Sequence, residues 1–156
     1  MATPAERLEA LGITLPEPVA PVANYIPFTR TIHDLVHISG QVSFDPLGGR
    51  RITGVVGVDL DLDQAREAAR VCAINVLAQI RAACKGDLGR VMGILKLNGF
   101  VQAGPEFFEI PQVLNGASDL MVDVFGDKGR HARSAVGVYR LPLNFAVELD
   151  AVVWAL

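Results

Sequence analysis

Arg133, Glu148 and Asp150 are the charged residues best placed for chemistry on a small molecule, because each sits in an alternating run. Arg133-Ser134-Ala135-Val136-Gly137-Val138 and Val147-Glu148-Leu149-Asp150-Ala151-Val152 flank Leu141-Pro142-Leu143-Asn144. Alternating runs on either side of a Pro/Asn turn predict a pair of antiparallel strands. Strand side chains change face at every residue. Val136 and Val138 then supply the apolar face of the first strand, and Phe145, Val147, Leu149, Ala151 and Val153 that of the second. The opposite face gathers Arg133, Ala135 and Gly137 with Glu148 and Asp150. A guanidinium beside small residues can hold a carboxylate or phosphate through two parallel hydrogen bonds. A carboxylate on the same face can move a proton to or from a reacting group. With Gly137 opposite Glu148, Arg133 stands four residues farther along, about 13 Å at strand rise. A small ligand reaching both then needs help from a neighbouring subunit or a long glutamate rotamer.

The elements that position these groups read as follows. Pro4 to Leu11 has helical spacing and Gly12 as its stop. Leu15-Pro16-Glu17-Pro18-Val19-Ala20-Pro21 is too rich in proline for helix or central strand and predicts an extended arm. Residues 1–24 form this helix and arm, and 25–156 one domain. Tyr25 to Thr31 and Leu35 to Val42 read as strands, Asp45-Pro46-Leu47-Gly48-Gly49 as a turn, and Ile52 to Val58 as a return strand. Asp61 and Gln64 have capping-box spacing, and Ala69, Cys72, Ala73, Val76, Leu77, Ile80 and Cys84 follow as an apolar helical stripe ending at Gly86. Val91 to Val101 is a strand, with Gly93 and Gly99 as sites of a bulge or close approach. Pro111 to Phe125 is a second helix, and Asn115 reads as a local cap of it. Strands, helix, strand, helix and strands predict an α+β fold: one mixed sheet with two helices packed on one face. The other face, carrying Ala135 and Gly137, suits burial in a closed oligomer.

Length and composition agree with a single core. The chain has 156 residues, 51% of them apolar, enough for one domain. Formal charge is −3, whereas a nucleic-acid binder carries a basic footprint. The basic clusters are small: Arg130-His131-Ala132-Arg133 with Lys128, and Arg50-Arg51. Cys72 and Cys84 fall on one helix too far apart to bond and read as buried thiols of a reducing compartment. The start lacks a secretory pattern, and no apolar run approaches a membrane span. A cytoplasmic protein is expected. His33, His37 and His131 show no metal spacing, no phosphate-loop motif occurs in the right context, and no Ser/His/Asp order stands out.

R-S-A-V-G-V-x-x-L-P followed by V-E-L-D resembles the C-terminal signature of the RidA/YjgF family, also called L-PSP. Ile38-Ser39-Gly40-Gln41 resembles its S-G-Q segment, Tyr25 stands where its tyrosine does, and Val113-Leu114-Asn115-Gly116-Ala117-Ser118 is similar to the asparagine-bearing segment of a longer-chain branch. The resemblance runs from about Tyr25 to Val153. It implies a chorismate-mutase-like fold, a homotrimer with ligand clefts between subunits, and no cofactor or metal. It implies hydrolysis of reactive 2-imino acids (enamines and imines) to 2-keto acids and ammonia. By the same resemblance Arg133 clamps the substrate carboxylate and Glu148 handles the water or the departing amine. Tyr25, Ser39, Gly40, Asn115 and Ala135 line the cleft. Ala135 replaces a cysteine of the shorter relatives but keeps its backbone carbonyl. Two other functions compete: a trimeric protein that binds a keto acid and signals without turnover, and, disfavoured by the acidic charge, an endoribonuclease.

Overall fold

The last strand organises the molecule. In β7 (Val147–Ala155) residues 147, 149, 151, 153 and 155 are buried, while Glu148, Asp150, Val152 and Trp154 face the other way. The computed structural model describes residues 1–18 and 20–156; Val19, in the proline-rich arm, lies outside them. The remaining strands are β1 (Phe28–Arg30), β2 (Leu35–Val42), β3 (Phe44–Asp45), β4 (Arg50–Arg51), β5 (Val91–Gln102) and β6 (Ala132–Val138). β3 and β4 form a small separate ribbon. The other five make one mixed sheet in the order β1-β2-β7-β5-β6, antiparallel except for the parallel pair β5–β6.

Helices α2 (Leu62–Ala83) and α3 (Ile110–Phe125) cover one face, packed on each other and on the sheet. The α+β expectation with two helices on one face is what the chain adopts. α2 begins with the expected capping box: the Asp61 side chain accepts from the Gln64 N–H and the Gln64 side chain accepts from the Asp61 N–H. Its stripe of Ala69, Cys72, Ala73, Val76, Leu77, Ile80 and Cys84 lies in the core. A third helix, α1 (Pro4–Ala10), starts with a Thr3/Glu6 capping box and sends Leu8 into the same core.

Four expectations are corrected. Tyr25 and Ile26 precede β1, since Pro27 has no N–H for a ladder. The 52–58 segment is not a strand: the Val55 carbonyl accepts the N–H groups of Val58, Asp59 and Leu60, curling the chain, and only bridges at Thr53 and Val56 remain. Asn115 lies inside α3, so it caps nothing.

The fourth correction concerns the terminal strands. β6 and β7 do not pair; β5 lies between them and pairs with both. β5 is twelve residues long and takes the place between β7 and β6, and α3 supplies the crossover that its parallel pairing with β6 requires. Leu97 is opposite Arg133 and Phe100 is opposite Glu148. An odd separation of three along β5 puts Arg133 and Glu148 on opposite faces. Arg133, Ala135 and Gly137 therefore face α3, on the side of buried Leu97, and Ala135 packs against the core. Ala135 and Gly137 therefore do not mark the uncovered face of the sheet as an oligomer seam. The uncovered face instead carries Lys96, Phe100, Ser134, Val136, Asp150 and Trp154.

Candidate functional site

Arg133 emerges from edge strand β6 beside α3 and is half-buried. Its Nη1 donates to Asn115 Oδ1 at 2.9 Å and to Ser118 Oγ at 3.2 Å. Asn115 and Ser118 are three residues apart on α3, hence on one face of the helix. Among the described residues no protein group pairs with Nε or Nη2 of Arg133. One corner of the guanidinium is therefore anchored, while the Nε–Nη2 edge remains free for a planar anion. Ala135 follows on the same face of β6 and adds no polar side chain.

Behind Arg133, Ser118 Oγ lies 2.9 Å from His131 Nε2, and His131 Nδ1 lies 2.6 Å from the Gly129 carbonyl. A carbonyl oxygen only accepts, so Nδ1 carries the proton. The bare Nε2 of the neutral ring then accepts from the Ser118 hydroxyl. Burial pushes the His131 pKa below its usual value; the Gly129 carbonyl opposes this and the Arg133 charge adds to it. The neutral ring is thus the form present at pH 7. The spacing of His131 in the chain does not reveal its pairing with Ser118. The signal in the chain is Asn115 and Ser118 at helical spacing, with His131 just before the strand that carries Arg133.

Glu148, Tyr25, Ser39 and Gly40 gather elsewhere, around a cleft of about 400 Å³ also lined by Leu143 and Phe145. The β2–β7 register shifts between Ile38 and Gln41, so Ser39 and Gly40 lie in a bulge. Ser39 Oγ donates to the Ile26 carbonyl at 2.7 Å. A Cβ on Gly40 would stand 2.8 Å from Glu148 Oε1, so only glycine leaves the carboxylate its place. Glu148 is half-buried, and burial raises its pKa, with the Asp150 charge adding to the shift. A raised pKa makes the carboxylate a stronger base than an ordinary glutamate, and the same group can return the proton it takes. Tyr25 is 52% exposed at the rim. Leu143 and Asn144 both have positive φ, 55° and 64°. Gln102, fully buried, anchors this turn: its Nε2 donates to Asn144 Oδ1 and to the Gly54 carbonyl, and its Oε1 accepts from the Leu141 N–H.

The residues singled out from sequence thus fall into two groups. Arg133, Asn115 and Ala135 lie at the β6–α3 edge; Tyr25, Ser39, Gly40 and Glu148 lie on the far side of the sheet. Glu148 is level with Val136, not Gly137, three residues or about 10 Å along the strand direction from Arg133, with β5 and the sheet itself between them. Among the described residues no group of three His, Cys, Asp or Glu is placed to hold a metal ion, and no helix is long and apolar enough to cross a membrane. Cys72 and Cys84 are free and buried.

Comparison with known proteins adds three relatives. Protein TCP17 of Trypanosoma cruzi is 47% identical over 150 residues, 96% of this chain and 92% of that protein. The crystal structure of Atu1372, a protein of unknown function from Agrobacterium tumefaciens, is 48% identical with a TM-score of 0.87, covering 96% of this chain and 91% of that one. A 2-iminobutanoate/2-iminopropanoate deaminase of Dermatophagoides farinae is 25% identical over 138 residues, 88% of each chain. The family model described as "YjgF/chorismate mutase-like, putative endoribonuclease" matches residues 5–152. By that match and by its fold, the chain belongs to the RidA/YjgF family.

Proposed function

We propose that this protein hydrolyses 2-imino acids to 2-keto acids and ammonia, in a cleft completed by a second copy of the chain within a homotrimer. The observation that carries the reading is the guanidinium of Arg133, held at Nη1 and, among the described residues, unpaired along its Nε–Nη2 edge. That edge matches a carboxylate, the group every 2-imino acid carries next to its reacting carbon. The 25% identical deaminase supports the same chemistry.

One chain cannot bring its Glu148 to its own Arg133, since the sheet separates them. Rotational symmetry resolves this: the exposed β6–α3 edge of one copy meets the Glu148 cleft of the next, and the same contact closes a ring. Water on the imine carbon loses a proton to Glu148 as the C–O bond forms. Glu148 passes that proton to the nitrogen, giving the amino alcohol; it then takes the hydroxyl proton and returns it to the nitrogen as the C–N bond breaks, releasing ammonia, leaving the keto group and restoring the carboxylate. Imine and water thus yield ketone and ammonia, with no other reactant. Imines hydrolyse unaided, so holding the substrate and moving protons suffices for catalysis. The two buried thiols suit a reducing cytoplasm.

The separation of clamp from carboxylate also favours a second reading, a protein that binds keto acids without turning imines over. An assay in which an amino-acid oxidase generates imines from a panel of amino acids separates the two. Accelerated ammonia or keto-acid release supports the deaminase. Calorimetric binding of 2-oxobutanoate without acceleration leaves the binding protein. RNA cleavage is disfavoured by the net charge of −3; an RNA titration at low salt, where electrostatic binding is strongest, checks it.

A further inference from the structure

The hydrogen bonds behind Arg133 run in one direction. Arg133 Nη1 donates to Ser118 Oγ, Ser118 Oγ donates to His131 Nε2, and His131 Nδ1 donates to the Gly129 carbonyl. Each step is set by the next. The carbonyl fixes the imidazole tautomer, the bare ring nitrogen takes the hydroxyl proton, and the hydroxyl is left with its lone pairs toward the guanidinium. Without the imidazole the hydroxyl rotor is free, and its proton can turn toward Arg133 or compete for Asn115 Oδ1.

The backbone supports this chain at its far end. A Cβ on Gly129 would stand 2.1 Å from the Met121 carbonyl oxygen. The loop before β6 therefore lies directly on α3, the helix that carries Ser118, and the accepting carbonyl and the hydroxyl share one rigid seat. None of these groups needs a ligand to be satisfied. What they leave unsatisfied is the far edge of Arg133.

We infer that Ser118 and His131 are positioning residues for the Arg133 clamp, orienting the guanidinium for a carboxylate before the ligand arrives. This rests on reading Arg133 as that clamp. An arginine ordered in advance loses less side-chain freedom on binding. The benefit falls on carboxylate binding, held alike in substrate and transition state, so it enters KM and not kcat.

The test uses the full-length protein, calorimetry with 2-oxobutanoate and steady-state imine hydrolysis. Ser118→Ala weakens keto-acid binding about three- to tenfold and raises KM by the same factor, with kcat within about twofold. Ser118→Thr keeps the hydroxyl and restores both. His131→Leu behaves like Ser118→Ala. His131→Gln, whose amide oxygen can accept the hydroxyl proton, recovers most of the loss. Nitrogen-15 NMR of the wild type finds His131 protonated on Nδ1 and bare on Nε2 at pH 7. The inference is overturned if Ser118→Ala and His131→Leu bind as the wild type does while Arg133→Ala does not, if the losses fall on kcat alone, or if the ring carries its proton on Nε2. Arg133→Ala binding as tightly as wild type, or a wild type that binds no keto acid, would instead remove the clamp itself, and this inference with it.

Discussion

Replacing Arg133 by lysine keeps a positive charge in place and asks whether the guanidinium fork matters. In the structure Nη1 is committed to Asn115 and Ser118, and two further nitrogens, Nε and Nη2, remain for the ligand. A lysine offers one nitrogen, which cannot make two parallel bonds to a carboxylate. Hydrogen bonds to charged groups contribute about 1.5–3 kcal/mol each. At about 1.4 kcal/mol per decade, losing one lowers kcat/KM for a 2-imino acid roughly 10- to 150-fold. Alanine removes both, and the loss grows to roughly 10²- to 10⁴-fold by the same arithmetic. The assay is the oxidase-coupled hydrolysis, with the melting curve and molecular mass of each variant as controls. Arg133 is half-buried at an edge strand, so both variants should fold and assemble as the wild type does. A lysine variant within about twofold of wild type would refute the clamp, because charge alone would then account for binding.

Glu148→Gln should lower kcat by about 10²- to 10⁴-fold with little change in 2-oxobutanoate binding; unaltered kcat would remove Glu148 from the proton path. Because burial, and then Asp150, raise the Glu148 pKa, the carboxylate takes up its proton at higher pH than an ordinary one. Activity that needs it as a base is therefore lost as pH falls through that raised value. Asp150→Asn removes one cause and should move the acid limb of the rate profile to lower pH; a shift upward contradicts the assignment. The linkage to stability has the matching sign: a carboxyl whose folded pKa is raised holds its proton more tightly folded than unfolded, so stability drops as pH rises from the unfolded value through the folded one and stays lower above it. Glu148→Gln should thus melt higher than wild type at pH 7, and a lower melt would show that the charge is stabilised, not penalised. Gly40→Ala places a methyl 2.8 Å from Glu148 Oε1; the flexible carboxylate yields, so the melt should persist while kcat falls about 10²-fold for a misplaced base, and full activity would mean that the observed Glu148 position is not the working one.

Much of this protein is written in short-range pattern. The Asp61/Gln64 capping box, the apolar stripe from Ala69 to Cys84 and the alternation of β7 each depend on residues within a single element, so each was legible from the chain alone. Arg133 and Glu148 stood out as candidates too, from residue type and family resemblance. Their relation was not. Two alternating runs joined by a Pro/Asn turn suit a hairpin locally, but β5 offers both of them a longer partner and enters between them. Which strands pair is decided by contacts distant in sequence, and a residue's face follows from its register in those pairs. Only the folded sheet set Arg133 against α3 and Glu148 on the opposite side. Only the packing of α3 on the loop before β6 brought Ser118 to His131, thirteen residues apart in sequence.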